Sequence, residues 1–246
     1  MRKRKKMVMS ALILGGLMLF QGYWYALGVF FLTGILYIWS LKEGLTGQEW
    51  FLIPLPGMTL SLGLSLFGML LPESMIWNGF YAVITMAVHY FLMLTQNIYS
   101  VAAIRTIGLY RAATAVGFVM AITTGFLLSN TVLTFKQDFY TNGFLLAIIS
   151  FVLYVPALWS VKLSEKVSRE VWSISGLLSL YTGLFAMVIS FWPISTTIAS
   201  IFLTTVIYVF LGLSQHLLTD RLNKRNALEY LTFGVVVLVT MLVTTW

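Results

Sequence analysis

The sequence predicts an all-α fold, a polytopic bundle of about nine transmembrane helices with its N-terminus inside and its C-terminus outside. Three observations predict it. The chain is 59% hydrophobic and only 9% charged, with a mean hydropathy of +0.92, whereas charged residues make up about 25% of a soluble domain. Its apolar runs reach the roughly 20 residues that a helix needs to cross a hydrocarbon core. With nine crossings, the 15 Lys and Arg residues segregate: all but Lys136 fall on one side, as expected when short cytoplasmic loops retain cations during insertion.

The helices are expected at residues 5–21, 23–41, 50–71, 76–100, 108–129, 142–161, 171–191, 194–215 and 230–246, one integral membrane domain over residues 1–246. The first follows the basic run Arg2, Lys3, Arg4, Lys5 and Lys6. The apolar stretch Met7–Leu41 has 35 residues, about 52 Å as one helix against a core of about 30 Å. A hairpin at Gln21 and Gly22 therefore divides it in two. With the hairpin, the inside receives the five N-terminal cations, Lys42, Arg105, Arg111, Lys162, Lys166, Arg169, Arg221, Lys224 and Arg225; without it the cations divide six against nine and set no orientation. Trp24, Trp77, Trp192 and Trp246 then fall near outer ends and Trp39, Trp50, Trp159 and Trp172 near inner ends, where a half-buried indole keeps its N–H wet. The basic start also resembles a signal peptide, but the Gln21–Tyr25 stretch offers no small-residue cleavage site, and the segment is expected to stay as the first helix.

Pro54 and Pro56 near the start of the third helix predict a kink or an irregular first turn, since proline lacks an amide donor and crowds the preceding turn. The same reasoning applies to Pro156 in the sixth. The fourth helix carries the most polar stripe: Asn78, Thr85, His89, Gln96 and Ser100, spaced seven, four, seven and four, with Asn97 alongside. An eleven-residue repeat is about 3.67 residues per turn, so the stripe keeps one face. His89 falls near the bilayer midplane, where a polar group faces protein or a water-filled cavity. Packing glue is one use of such a histidine. The other is a polar cavity closed by the seventh and eighth helices, with Thr204 and Tyr208 contributing from the eighth.

In the fifth helix Ala113, Gly117, Ala121 and Gly125 recur every four residues, a small-residue face that lets helices approach closely. Its use is intramolecular packing or contact with a second membrane protein or copy. Ser175, Ser179, Thr182 and Ser190 make a mildly polar face on the seventh helix. His216, the second of two histidines, stands at the inner end of the eighth, beside a basic loop that leads to the ninth. That loop's Arg221, Lys224 and Arg225, with Arg2, Lys3, Arg4, Lys5 and Lys6, are candidate contacts for anionic lipid, each worth about 1 kcal/mol near the surface.

Several classes lose ground on residue type alone. The chain has no Cys, hence no disulfide, thiolate metal site or thiol nucleophile. All eight Asp and Glu fall at loops or helix ends, away from the mid-membrane positions that cation-coupled pumps use and without the interfacial clusters that hold Mg²⁺. No His-Glu-x-x-His pair or nucleophile elbow occurs. The net charge of +7 is accounted for by the loops, so nucleic acid is not an expected partner. No catalytic residue, cofactor or metal is predicted; membrane lipids, and a membrane protein partner or second copy, are.

The stretch Asn97-Ile-Tyr-Ser-Val-Ala-Ala-Ile-Arg-Thr-Ile, followed by Arg111-Ala-Ala-Thr-Ala-Val-Gly-Phe, resembles a family of uncharacterised bacterial polytopic membrane proteins, over the fourth to ninth helices. The resemblance implies a bacterial cytoplasmic (inner) membrane location and carries no activity to any residue. The functional expectation is a multi-pass membrane protein without catalysis of its own, a scaffold or accessory subunit. The alternative is a permease or lipid-handling transporter built around His89, and a membrane enzyme is the third class.

Overall fold

The computed structural model describes residues 3–20, 22–72, 74–102, 108–164 and 166–244. Among them no strand occurs, and the helices are α1 (Lys3–Leu17), α2 (Tyr23–Leu41), α3 (Glu49–Leu52), α4 (Leu55–Gly68), α5 (Met75–Ala102), α6 (Tyr110–Thr134), α7 (Phe139–Lys162), α8 (Arg169–Ser190), α9 (Thr196–Leu218) and α10 (Lys224–Thr244). The short α3 and α4 occupy the place of the third expected helix, so the fourth to ninth are α5 to α10. Among the described residues, eight segments are long and apolar enough to cross a membrane, α3 and α4 counting as one. The protein is a multi-pass membrane helix bundle. α1, with 15 residues and four cations at its start, falls short of that length and composition.

Differences at the boundaries have local causes. The long apolar run breaks where Gly22, at φ 155°, precedes α2, a backbone region that is essentially glycine-only; Gln21 lies outside the described residues. Pro54 separates α3 from α4 as its N-cap, and Pro56 falls in the first turn of α4, where its missing N–H costs nothing. The start of α3 is held by Thr46 and Glu49, whose carboxylate accepts the Thr46 amide at 2.9 Å while the Glu49 amide bonds the Thr46 carbonyl. α6 runs five residues beyond its expected end because Thr131 and Thr134 return their hydroxyls to the carbonyls of Leu127 and Asn130, which makes a polar run compatible with a helix. α10 starts at Lys224 rather than 230 because Asn223 caps it, accepting the Asn226 amide at 2.8 Å.

The chain divides into two compact units, Met1–Thr124 with Leu163–Lys166, and Gly125–Lys162 with Val167–Trp246, the boundary falling within α6. In the first unit α1 packs on α2 and α5, and α2 packs on α4. Its fully buried side chains include Leu14, Tyr37, Leu41, Leu60, Leu92 and Met93. In the second unit α7 and α8 form the closest pair, with α9 against both and α10 against α9. Its core gathers Leu133, Leu146, Ala186, Phe202, Leu203 and Met241.

α8 displays the polarity of a membrane bundle. Ser175, Ser179, Thr182, Gly183 and Ala186 are buried, while Leu177, Leu180, Leu184 and Val188 are each more than half exposed. Small and hydroxylated residues face protein and large aliphatics face outward, the reverse of a soluble helix and the arrangement expected where lipid is the solvent.

Candidate functional site

The polar stripe of α5 is buried along most of its length: Thr85, His89, Gln96 and Ser100 all lie within the first unit, Asn78 and Asn97 being half-buried. His89 is 0% exposed, and both its ring nitrogens are engaged. Nδ1 lies 3.1 Å from the Tyr37 hydroxyl on α2, and Nε2 lies 3.2 Å from the Ser61 hydroxyl on α4. Ser61 in turn lies 2.6 Å from Thr33 Oγ1, and Thr33 donates to the Val29 carbonyl at 2.7 Å.

The protons can be placed along this row without conflict. Tyr37 donates to Nδ1, Nε2–H donates to Ser61, Ser61 to Thr33, with the Gly57 carbonyl 3.0 Å away as its other acceptor, and Thr33 to the Val29 carbonyl. Every donor and acceptor of a neutral imidazole is then used, and the row ends on a helix backbone that has a lone pair to spare. Chemically this is a cross-tie between α2, α4 and α5, worth about 0.6 to 1.7 kcal/mol per interhelical bond.

Tyr37 reaches His89 because Gly57 lets it pass: a Cβ on Gly57 would lie 2.6 Å from Tyr37 Cε1. The partners Thr33, Tyr37 and Ser61 were not among the residues expected at the site. Their signal was present as two (i, i+4) pairs, Thr33 with Tyr37 and Gly57 with Ser61, each a polar or small patch in an apolar helix.

Toward the C-terminal end of α5, Ser100 returns its hydroxyl to the Asn97 carbonyl at 3.0 Å and packs beside Gly44, where a Cβ would lie 3.1 Å from Ser100 Oγ and 3.3 Å from Lys3 Nζ. Thr85 Oγ1 and Asn97 Oδ1 are buried without a hydrogen-bond partner among the described residues. Thr204 and Tyr208 belong to the second unit. Thr204 donates back to the Ser200 carbonyl at 2.6 Å, and Tyr208 stacks on Tyr230 and Phe233 of α10 with ring centroids 5.1 and 5.2 Å away. His216 joins the same aromatic cluster, 5.7 Å from Tyr230.

The small-residue ladder of α6 serves packing within each unit. Ala113 and Gly117 receive Tyr99 of α5, whose hydroxyl donates to the Ala113 carbonyl at 3.0 Å and abuts Gly117. Gly125 receives Ile207 of α9, 2.9 Å from where a Cβ would stand. Ala121 is half-buried.

Among the basic residues, Arg2 lies outside the described residues. Arg4, Lys5, Arg221 and Lys224 are exposed, as is Arg225, which pairs with Glu229 at 3.1 Å. Lys6 departs from this group. It is buried, bonds Glu43 at 2.8 Å, and lies 5.9 Å from the centroid of the Trp39 ring. Burial pushes the Lys3 ammonium below its ordinary pKa; Glu43 opposes that shift and Lys6 adds to it. No group of three or more His, Asp or Glu residues close enough to hold a metal ion occurs among the described residues.

Fold and packing define a multi-pass helical membrane protein with a buried histidine cross-tie. Residues 40–244 match the model of a family described as a protein of unknown function, DUF5656, and the chain belongs to that family. No curated protein and no solved structure matches the chain.

Proposed function

We propose that the protein works as a non-catalytic scaffold or accessory subunit of a membrane complex in a bacterial cytoplasmic membrane, its N-terminus and basic loops inside. The observation that carries this reading is the closed hydrogen-bond row at His89. The one histidine deep in a spanning helix has both ring nitrogens occupied by Tyr37 and Ser61, so its chemistry serves the fold. The segregation of Lys and Arg supports the orientation.

A partner-binding role calls for an outward helical surface, and α10 supplies one. Only 6% of its most apolar stretch is buried inside the protein, and Leu228, Leu231, Val235 and Val239 are exposed at spacings of three, four and four, a stripe onto which a second membrane helix packs. The test is gentle purification from the native membrane at native expression level, with mass spectrometry of what co-purifies, for the wild type and for Leu231→Trp with Val235→Trp. A stoichiometric membrane protein retained by the wild type and lost from the variant supports the scaffold reading. A protein that purifies alone, and whose transport activity disappears in His89→Ala at unchanged folded yield, overturns it in favour of a permease.

A further inference from the structure

The second unit contains a cavity of ≈ 440 Å³ at the end where α6 and α8 finish and α7 and α9 begin; its polar lining includes Lys136, Gln137, Asn142, Ser195 and Thr196, and Trp192 forms part of the wall. Its volume lies within the range of small-molecule sites, and it sits at a helix-end level, where lipid headgroups meet the protein.

Three features are tuned to one kind of ligand. The first is positive potential. Ser195 caps α9 by accepting the Ile198 amide at 3.4 Å, and the next bond, from the Ala199 amide, goes to the Ser195 carbonyl. The Thr196 and Thr197 amides are left without a partner among the described residues, two orphan donors at the positive end of a 23-residue helix.

The second is Lys136. It follows α6 in a left-handed conformation at φ 48°, lines the cavity, and forms no ion pair with a carboxylate among the described residues.

The third is a buried acceptor. Asn142 is 3% exposed and uses both Nδ2 protons, one on the Gln137 carbonyl at 3.2 Å and one on Ser190 Oγ at 3.1 Å. Ser190 spends its own proton on the Ala186 carbonyl. Both neighbours are therefore acceptors, which fixes the amide orientation and leaves Oδ1 as the atom without a partner. An unsatisfied buried carbonyl oxygen is unfavourable until a donor reaches it.

We propose that this cavity binds a phosphate group that carries a neighbouring hydroxyl or ammonium donor. The phosphate meets the Thr196 amide and the Lys136 ammonium, both on the cavity wall, and the donor satisfies Asn142 Oδ1. A phospholipid headgroup such as phosphoglycerol has this chemistry, and so does free hydrogen phosphate. The inference is independent of the scaffold reading, because it uses neither α10's exposed flank nor His89.

The experiment is native mass spectrometry of the detergent-purified full chain titrated with phosphatidylglycerol, with phosphatidylcholine, which has a phosphate but no donor, and with inorganic phosphate. Two variants report on the site. Thr196→Pro removes one amide donor at the first position of α9, where proline is accommodated, and the preceding Ser195 already has the extended backbone (φ −65°, ψ 144°) that proline requires. Lys136→Gln removes the cation from an exposed position.

The wild type is expected to prefer phosphatidylglycerol over phosphatidylcholine, and each variant to lose about tenfold in phosphatidylglycerol affinity, the loss of one charge-assisted bond. If inorganic phosphate binds with the same variant sensitivity and displaces the lipid, the site is assigned to the free ion. Equal binding of both lipids, or phosphatidylglycerol binding unchanged in both variants, overturns the proposal. Should Thr196→Pro lower the folded yield, Lys136→Gln decides the outcome alone.

Discussion

At the scale of single residues, His89 illustrates how a polar group in lipid is neutralised by its neighbours. An imidazole in hydrocarbon is costly, yet here each nitrogen meets a hydroxyl at 3.1 to 3.2 Å and no polar atom of the ring is left over. His89→Ala removes two interhelical bonds and leaves the Tyr37 hydroxyl only the residue 89 carbonyl, 3.5 Å away, so thermal unfolding in detergent should show a loss of about 1 to 3 kcal/mol, from two bonds at about 0.6 to 1.7 kcal/mol each. Tyr37→Phe removes one of the two and should cost about half as much in the same assay; a silent Tyr37→Phe would mean that the row contributes nothing to stability. The sequence placed His89 on a buried polar face through its spacing with Thr85 and Gln96. It did not reveal Tyr37 or Ser61, because hydrogen-bond partners on other helices are chosen by helix rotation and depth, neither of which is encoded locally.

At the scale of elements, close helix pairs are built on glycine where two backbones meet. On α7 and α8, a Cβ on Gly143 would lie 2.9 Å from the Gly183 carbonyl oxygen, and a Cβ on Gly183 would lie 2.7 Å from the Gly143 carbonyl oxygen and 2.8 Å from Ala147 Cβ. The contact is reciprocal and involves main-chain oxygens, which cannot give way as the flexible Met187 side chain beside Gly143 can. Gly183→Ala should therefore destabilise by about 1 to 3 kcal/mol, the range for overpacking a tight interface. Gly176→Ala, on the same helix with nothing within 4 Å of where the added methyl would stand, should be neutral or stabilising by up to about 1 kcal/mol. Melting curves of the two variants side by side check this; equal effects would remove the backbone contact as the cause. The ladder on α6 was legible from its four-residue spacing, whereas the Gly143–Gly183 contact was not, since each glycine stands in an ordinary apolar stretch and only the pairing of α7 with α8 brings them opposite.

At the scale of the whole molecule, orientation is the property that the cation distribution makes testable. The chain contains no Cys, so single cysteines report on sidedness without a background to remove. Lys136→Cys should react with a membrane-impermeant maleimide added to intact cells, and Lys162→Cys only after the membrane is opened; the reverse pattern would invert the topology and the positive-inside argument with it. The all-helical multi-pass architecture, the break near Gly22, the interruption at Pro54 and the burial of the α5 stripe follow from the sequence by itself, because the bilayer imposes a length on every apolar run and forces each backbone to satisfy itself within its own helix; the nine expected crossings do not, since α1 is too short and too charged to count with the eight long apolar segments among the described residues. What only the tertiary structure decided is which faces meet: His89 with Tyr37 and Ser61, Lys6 with Glu43 rather than with headgroups, and Asn142 with Ser190 beside a cavity. In lipid there is little hydrophobic gain to rank one helix pairing above another, so the choice falls to small-residue fit and a few hydrogen bonds between residues far apart in the chain.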